Sequence, residues 1–170
     1  MSSGVPSAKP ASATVLVRDA QPSDCAAIHG MLVALAVYER QPDAVMVTPE
    51  ALARDGFGVD AKFAAAIAEI DAKPVGFTLW TYNYSTWEGR RGMFLEDIYV
   101  ADAARRFGAG RALMADLAQR ALRLGFGRID LNVLTWNPAR EFYSALGFAH
   151  IDDWAPYRIR GRALEALARR

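Results

Sequence analysis

The chain has 170 residues, 52% hydrophobic and 23% charged, and 20 Lys and Arg against 19 Asp and Glu leave a formal charge of +1. That length and mixture suit one globular domain with an ordinary core and exclude a disordered polyelectrolyte or a fibrous repeat. A single cysteine, Cys25, excludes an internal disulfide, and with only His29 and His150 beside it no metal site is expected.

Residues 1–13, rich in Ser, Ala, Pro and Gly, have no periodicity and read as a flexible N-terminal tail before one domain over 14–170. No run reaches the roughly 18 apolar residues that span a bilayer, and the tail lacks the apolar core of a signal peptide, so a cytoplasmic protein with no membrane partner is expected. Thr14 to Asp19 reads as a first strand. Ile28, Met31, Leu32, Leu35 and Ala36 then predict a helix, with Ser23 or Asp24 near its start and an end around Glu39. Thr48-Pro49-Glu50 reads as an N-cap with Pro at the first helical position, opening a short helix that stops at Asp55-Gly56-Phe57-Gly58. Phe63 to Ile70 and Val75 to Tyr84 read as a hairpin linked by Asp71-Ala72-Lys73-Pro74, and Met93 to Val100 as the next strand. A helix follows with Leu113, Leu117, Ala121 and Leu124 on one face and Gly125 placed to end it. Arg128 to Thr135 reads as a strand, and Ala139, Phe142, Tyr143 and Leu146 recur at helical spacing after Asn137-Pro138. A strand around Tyr157 to Arg160 and a small helix from Arg162 complete the chain. The fold class is α+β, of three-layer α/β type: a mixed, mostly antiparallel central sheet flanked by helices.

The near-zero charge hides an asymmetry: residues 1–104 carry 8 basic and 13 acidic side chains, residues 105–170 carry 12 and 6. A basic C-terminal portion suits an anionic cofactor and the acidic portion a cationic substrate. No basic stripe with interleaved aromatics points to nucleic acid. Arg105-Arg106-Phe107-Gly108-Ala109-Gly110-Arg111 lies between a strand and a helix, where unpaired N–H groups and the helix dipole favour an anion. A P-loop would need Lys-Ser/Thr where Arg111-Ala112 stands, and a dinucleotide fingerprint a third glycine where Leu113 stands.

What remains is R-x-x-G-x-G, from Arg105 to Gly110, which resembles the pyrophosphate-binding motif of the Gcn5-related N-acetyltransferases (GNAT). Asn137, Phe142-Tyr143 and Leu146-Gly147-Phe148 resemble that family's later signature. Leu35-Ala36-x-Tyr38-Glu39, Asp55-Gly56-Phe57-Gly58, Trp87, Phe94-Leu95-Glu96-Asp97 and Trp154-Ala155-Pro156-Tyr157-Arg158-Ile159 resemble its spermidine/spermine and thialysine acetyltransferase branch. The resemblance implies a GNAT fold whose central strands separate to admit acetyl-CoA, the acetyl donor. It also implies that Arg105 to Arg111, with Phe107 and Ala109 among them, cradle the pyrophosphate. The pantetheine arm would run along Ile98, Tyr99 and Val100, whose backbone N–H groups would meet the oxyanion, and Asn137 would touch the cofactor while also capping a helix.

Acetyl transfer needs a neutral amine, an oriented thioester, a stabilised oxyanion and a proton for the departing thiolate. Glu96 is the expected base: simple alternation puts it on a face with Phe94, Ile98 and Val100, where partial desolvation would raise a carboxyl pKa. Tyr143 resembles the family's general acid. Tyr38, Glu39, Trp87, Glu96 and Asp97 are expected to line the amine pocket, because carboxylates attract ammonium groups and aromatic faces hold alkyl chains or cations. Tyr84-Ser85-Thr86 stands where the polyamine branch carries an acidic residue before Trp87, and the Asn137 to Tyr143 spacing is one residue shorter than usual. The missing acid removes a cation partner and points to a short diamine, or an amino acid with a side-chain amine, over a long polyamine, while the shorter spacing shifts the helix entry at Asn137. Alternatives are a protein, peptide or antibiotic amine as acceptor, or a non-catalytic acyl-CoA sensor. The resemblance further implies a homodimer.

Overall fold

The computed structural model describes residues 14–169, so the predicted tail over 1–13 lies outside the described residues. Two compact units divide between Asn132 and Val133.

The first unit is built on five strands in the order β1-β2-β3-β4-β5: β1 Leu16–Asp19, β2 Ala64–Ile70, β3 Lys73–Ser85, β4 Arg90–Val100 and β5 Ile129–Leu131. The first four are antiparallel neighbours and β5 joins β4 in parallel, the mixed sheet that the sequence predicts. On one face, Ile67, Phe77 and Leu79 pack with Cys25 and Ile28 of α1 (Cys25–Tyr38) and Leu52 of α2 (Pro49–Gly56). On the other, Ala68 packs with Ala109 and Leu113 of α3 (Ala109–Arg123). Strand alternation makes both layers possible, since Ile67 and Ala68 are adjacent and point to opposite faces.

Thr48 caps α2 as its sequence predicts, its hydroxyl accepting the Ala51 N–H at 3.2 Å. Asp24 does different work from a simple cap. Its carboxylate takes the Gln21 N–H at 2.7 Å and the Arg18 guanidinium at 2.7 Å, while Arg18 also binds Glu69, tying the start of α1 to β1 and β2. The Arg18 bonds hold the Asp24 carboxyl below the usual range. The end of α1 closes with a Schellman pattern: Gln41 N–H bonds the Ala36 carbonyl, Arg40 N–H that of Val37, and Arg40 takes φ +61°. This fixes Tyr38 and Glu39 at a defined helix terminus.

Three predicted features differ. The β2–β3 link is the two residues Asp71 and Ala72, both at positive φ, while Lys73 and Pro74 already belong to β3. Leu124 lies beyond α3 and is 54% exposed; Met114 and Ala109 join the buried face instead. The strand predicted over 128–135 is only Ile129–Leu131, because β4 accompanies β5 only from Met93 to Leu95.

The second unit contains α4 (Ala139–Ala145) and α5 (Arg162–Ala168). The strand expected around Tyr157 to Arg160 is absent from it, and Trp154, Tyr157 and Ile159 are exposed. Strand geometry needs a neighbouring ladder, and this unit has no strand among its described residues.

Candidate active site

The register of β3 against β4 contains the feature that shapes the site. Leu79 pairs with Asp97 and Trp80 with Leu95, so Glu96 is the extra residue of a β-bulge. The bulge reverses the alternation used for prediction: Phe94 shares a face with Thr81, whereas Ile98 and Val100 share the opposite face with Thr78 and Gly76. Glu96 is accordingly exposed, with its Oε1 accepting the Thr81 hydroxyl at 2.9 Å. The desolvation expected at Glu96 falls on its neighbour. Asp97, half-buried opposite Leu79, has its carboxyl raised from an ordinary 3.8 to about 6, first by burial and then by the charges of Glu96 and Glu39. Burial also pushes up the Glu39 carboxyl. Three carboxylates therefore interact where the end of α1 meets the middle of β4. Thr81 belongs to this group and gave no signal in the sequence beyond its place in a strand.

The same bulge opens the sheet. Bulges bend a strand and increase its twist, and β5 stops pairing after Leu95, one residue before Glu96. Ala101 N–H donates to the Val75 carbonyl on the β3 side. Backbone groups alternate along a strand, so Tyr99 also addresses β3, and Ile98 and Val100 turn their N–H groups to the edge that β5 has left.

Past β4, Asp102–Phe107 forms a 3-10 turn rather than an open glycine loop. Gly108 then takes φ +81° and a Cβ there would meet nothing within 4 Å, so the glycine answers a conformational need rather than crowding. Ala112 N–H bonds the Gly108 carbonyl, so the N–H groups of Ala109, Gly110 and Arg111 precede the helical ladder and address the start of α3. Arg105 is engaged locally: Nε donates to the Val100 carbonyl at 3.2 Å, Nη2 pairs with Asp102 at 2.9 Å, and the guanidinium lies 5.3 Å from the Tyr38 ring centre. Arg106 and Arg111 are exposed and have no carboxylate partner among the described residues. Free cations and unpaired N–H groups at one helix start fit a pyrophosphate.

Trp87 stands apart from the acid group. It is 92% exposed at the tip of the β3–β4 hairpin, beyond the Ser85–Arg90 pair. Six residues of strand separate that pair from Leu79–Asp97, about 20 Å. In the second unit, Asn137 is buried and its Oδ1 accepts the Ala139 N–H at 2.9 Å, opening α4. Tyr143 is half-buried on α4, its ring against Phe142 at 5.5 Å and Phe148 at 5.8 Å.

Residues 38–148 match the Acetyltransferase (GNAT) family. The chain belongs to that family. It is 37% identical over 168 residues to the thialysine N-epsilon-acetyltransferase of Bos taurus, spanning 92% of this chain and 98% of that one. It is 35% identical over 98 residues to the L-ornithine N5-acetyltransferase of Arabidopsis thaliana, covering 57% of this chain and 43% of that protein. In fold it resembles an integron cassette protein from the mobile metagenome of V. cholerae, with TM-score 0.76, 25% identity and coverage of 92% and 98%. The GNAT protein is thus an acetyl-CoA-dependent N-acetyltransferase acting on amines. No described helix is long and apolar enough to cross a membrane.

Proposed function

We propose that this acetyltransferase modifies a primary amine of a small diamine, a polyamine or an amino acid with a side-chain amine, by direct attack without an acyl-enzyme. The observation that carries the reading is the group of Glu39, Glu96 and Asp97, where burial and mutual repulsion raise the Asp97 carboxyl. An ammonium group entering there offsets the repulsion and favours the charged form of Asp97. The names of the relatives agree, since thialysine and ornithine are amino acids with a side-chain amine.

Acetyl-CoA supplies an activated acetyl thioester. Arg106, Arg111 and the N–H groups of 109–111 hold its phosphates, and Ile98 and Val100, on either side of Tyr99, present the strand edge along which its arm lies. Arg105 and Phe107 complete the turn, Gly108 and Gly110 let its backbone follow, and Asn137 adds a contact. The N–H groups of Ile98 and Val100 polarise the acyl oxygen. Tyr38, Glu39 and Asp97 seat the amine, Glu96 accepts its proton directly or through water, and the Tyr143 hydroxyl protonates the leaving sulfur. The family match runs across the division at Asn132, which supports one catalytic domain over 14–170. The lone, buried thiol of Cys25 suits a reducing compartment such as the cytoplasm. Given its distance from Asp97, Trp87 serves the amine pocket of a second copy, in a homodimer.

In this scheme Glu96→Gln lowers kcat about a hundredfold near neutral pH and much less at high pH, where the amine is already neutral. An unchanged pH profile removes Glu96 from the role. In the same assay Tyr143→Phe lowers kcat and leaves the Kd for acetyl-CoA intact, whereas equal loss of both marks it as structural.

A further inference from the structure

The end of α3 opposite the phosphate turn borders a cavity of about 350 Å³ that the acetyl-transfer chemistry does not use. Its walls come from β1, the α2 terminus, β2, β3, β4 and α3, all within the first unit. Phe57, Tyr82 and Leu124 supply apolar surface, and the buried Trp80 and Met93 border it. The cavity meets β4 at Met93, at the β5-paired start of the strand, and α3 at Arg120 and Arg123. The 15 residues of α3 separate it from Gly108 by about 20 Å.

Two observations give this cavity a chemical preference. First, its two cations are in different states. Arg120 lies over the Trp80 ring at 5.4 Å and is neutralised by Asp19 and by Asp116, the latter at 2.6 Å. Arg123, one turn on, is exposed and pairs with no carboxylate among the described residues, so its guanidinium is open to an anion. Second, Phe57 and Tyr82 line the cavity and Trp80, 2% exposed, borders it, so its apolar side is largely aromatic. A Cβ on Gly56 would meet the Phe63 ring at 2.5 Å, so that position packs too closely for a side chain.

We propose that this cavity is a second ligand site, separate from the acetyl-transfer site, which takes a small aromatic monocarboxylate. The carboxylate pairs with Arg123, and the ring occupies the apolar surface beside Trp80. Size agrees, since a volume near 350 Å³ is at the small end of ligand pockets and holds one or two fused rings.

Indole-3-acetate and its neutral counterpart indole-3-acetamide are the probes, and the readout is the indole N–H NMR signal of Trp80, one of four in the chain. Trp80→Phe assigns that signal by its disappearance. The carboxylate shifts it saturably, the amide binds about tenfold more weakly, and Arg123→Ala weakens the carboxylate about tenfold, matching one charge-assisted contact. Arg123 is exposed, so this variant folds, and its amine acetylation is unchanged. Saturating CoA leaves the titration unaltered, which is independent of whether any amine is acetylated. No shift of the Trp80 signal at about 5 mM probe, equal binding of acid and amide, an unaffected Arg123→Ala titration, or displacement by CoA would each overturn the proposal.

Discussion

At the scale of single residues, Asp97 shows most clearly how function is set against stability. Its carboxyl titrates near 6 in the folded protein against 3.8 when exposed, so between these values the native state holds a proton that the unfolded chain has lost. Stability from this group is therefore complete below pH 3.8 and disappears as pH rises through 6, a cost of about 3 kcal/mol for the ionised form. Asp97→Asn should raise Tm at pH 8 and leave it nearly unchanged at pH 3.5, while KM for the amine rises several-fold. Thermal melts across that range check the first half and steady-state kinetics the second. A variant no more stable at pH 8 than at pH 3.5, relative to the parent, contradicts the assignment. The sequence pointed to adjacent acids in an apolar strand but assigned the desolvation to Glu96. Period-two alternation is valid only for an unbroken ladder, and the bulge lies at Glu96 itself.

At the scale of elements, boundaries were legible wherever a local signal set them. Thr48-Pro49 started α2 and Gly125, at φ +69°, follows the end of α3, because caps act through the nearest backbone groups. The extent of β5 and the absent strand near Tyr157 were not legible, since both depend on what another strand offers as a partner. The β2–β3 turn belongs to the same lesson. Pro74 suggested a loop residue, but it stands near the start of β3, opposite Glu69, beside the irregularity in the β2–β3 ladder. The tight turn then forces Asp71 to φ +50° and Ala72 to φ +57°. Alanine in that region costs about 1 kcal/mol, which glycine avoids. Ala72→Gly should accordingly raise stability by about 0.5–1 kcal/mol in urea denaturation. A loss of stability would show that the turn is not under this strain.

At the scale of the whole molecule, one bulge links the two halves of the chemistry. It turns Glu96 outward beside Asp97, and β4 parts from β5 one residue earlier, so the acid group and the free edge of β4 meet at one point of the strand. The mixed sheet was readable from the alternation of its strands, and the motif Phe94 to Asp97 pointed to the acid group. Trp87 was grouped with the acids by sequence but stands at a hairpin tip, which is why the account needs a second copy. Sedimentation velocity at micromolar concentration should give a dimer, and a persistent monomer would leave Trp87 without a pocket.

The central claim is acetyl transfer to a small, multiply charged amine. The most direct test incubates the protein with acetyl-CoA and a panel of short diamines, polyamines, ornithine and lysine analogues and peptides, reading acetylated products by mass together with thiol release. A short diamine or side-chain-amine amino acid should be acetylated with one thiol released per acetyl group, and peptides left unmodified. Acetylation of peptides alone would contradict the claim, and so would tight cofactor binding with no acetylated small amine.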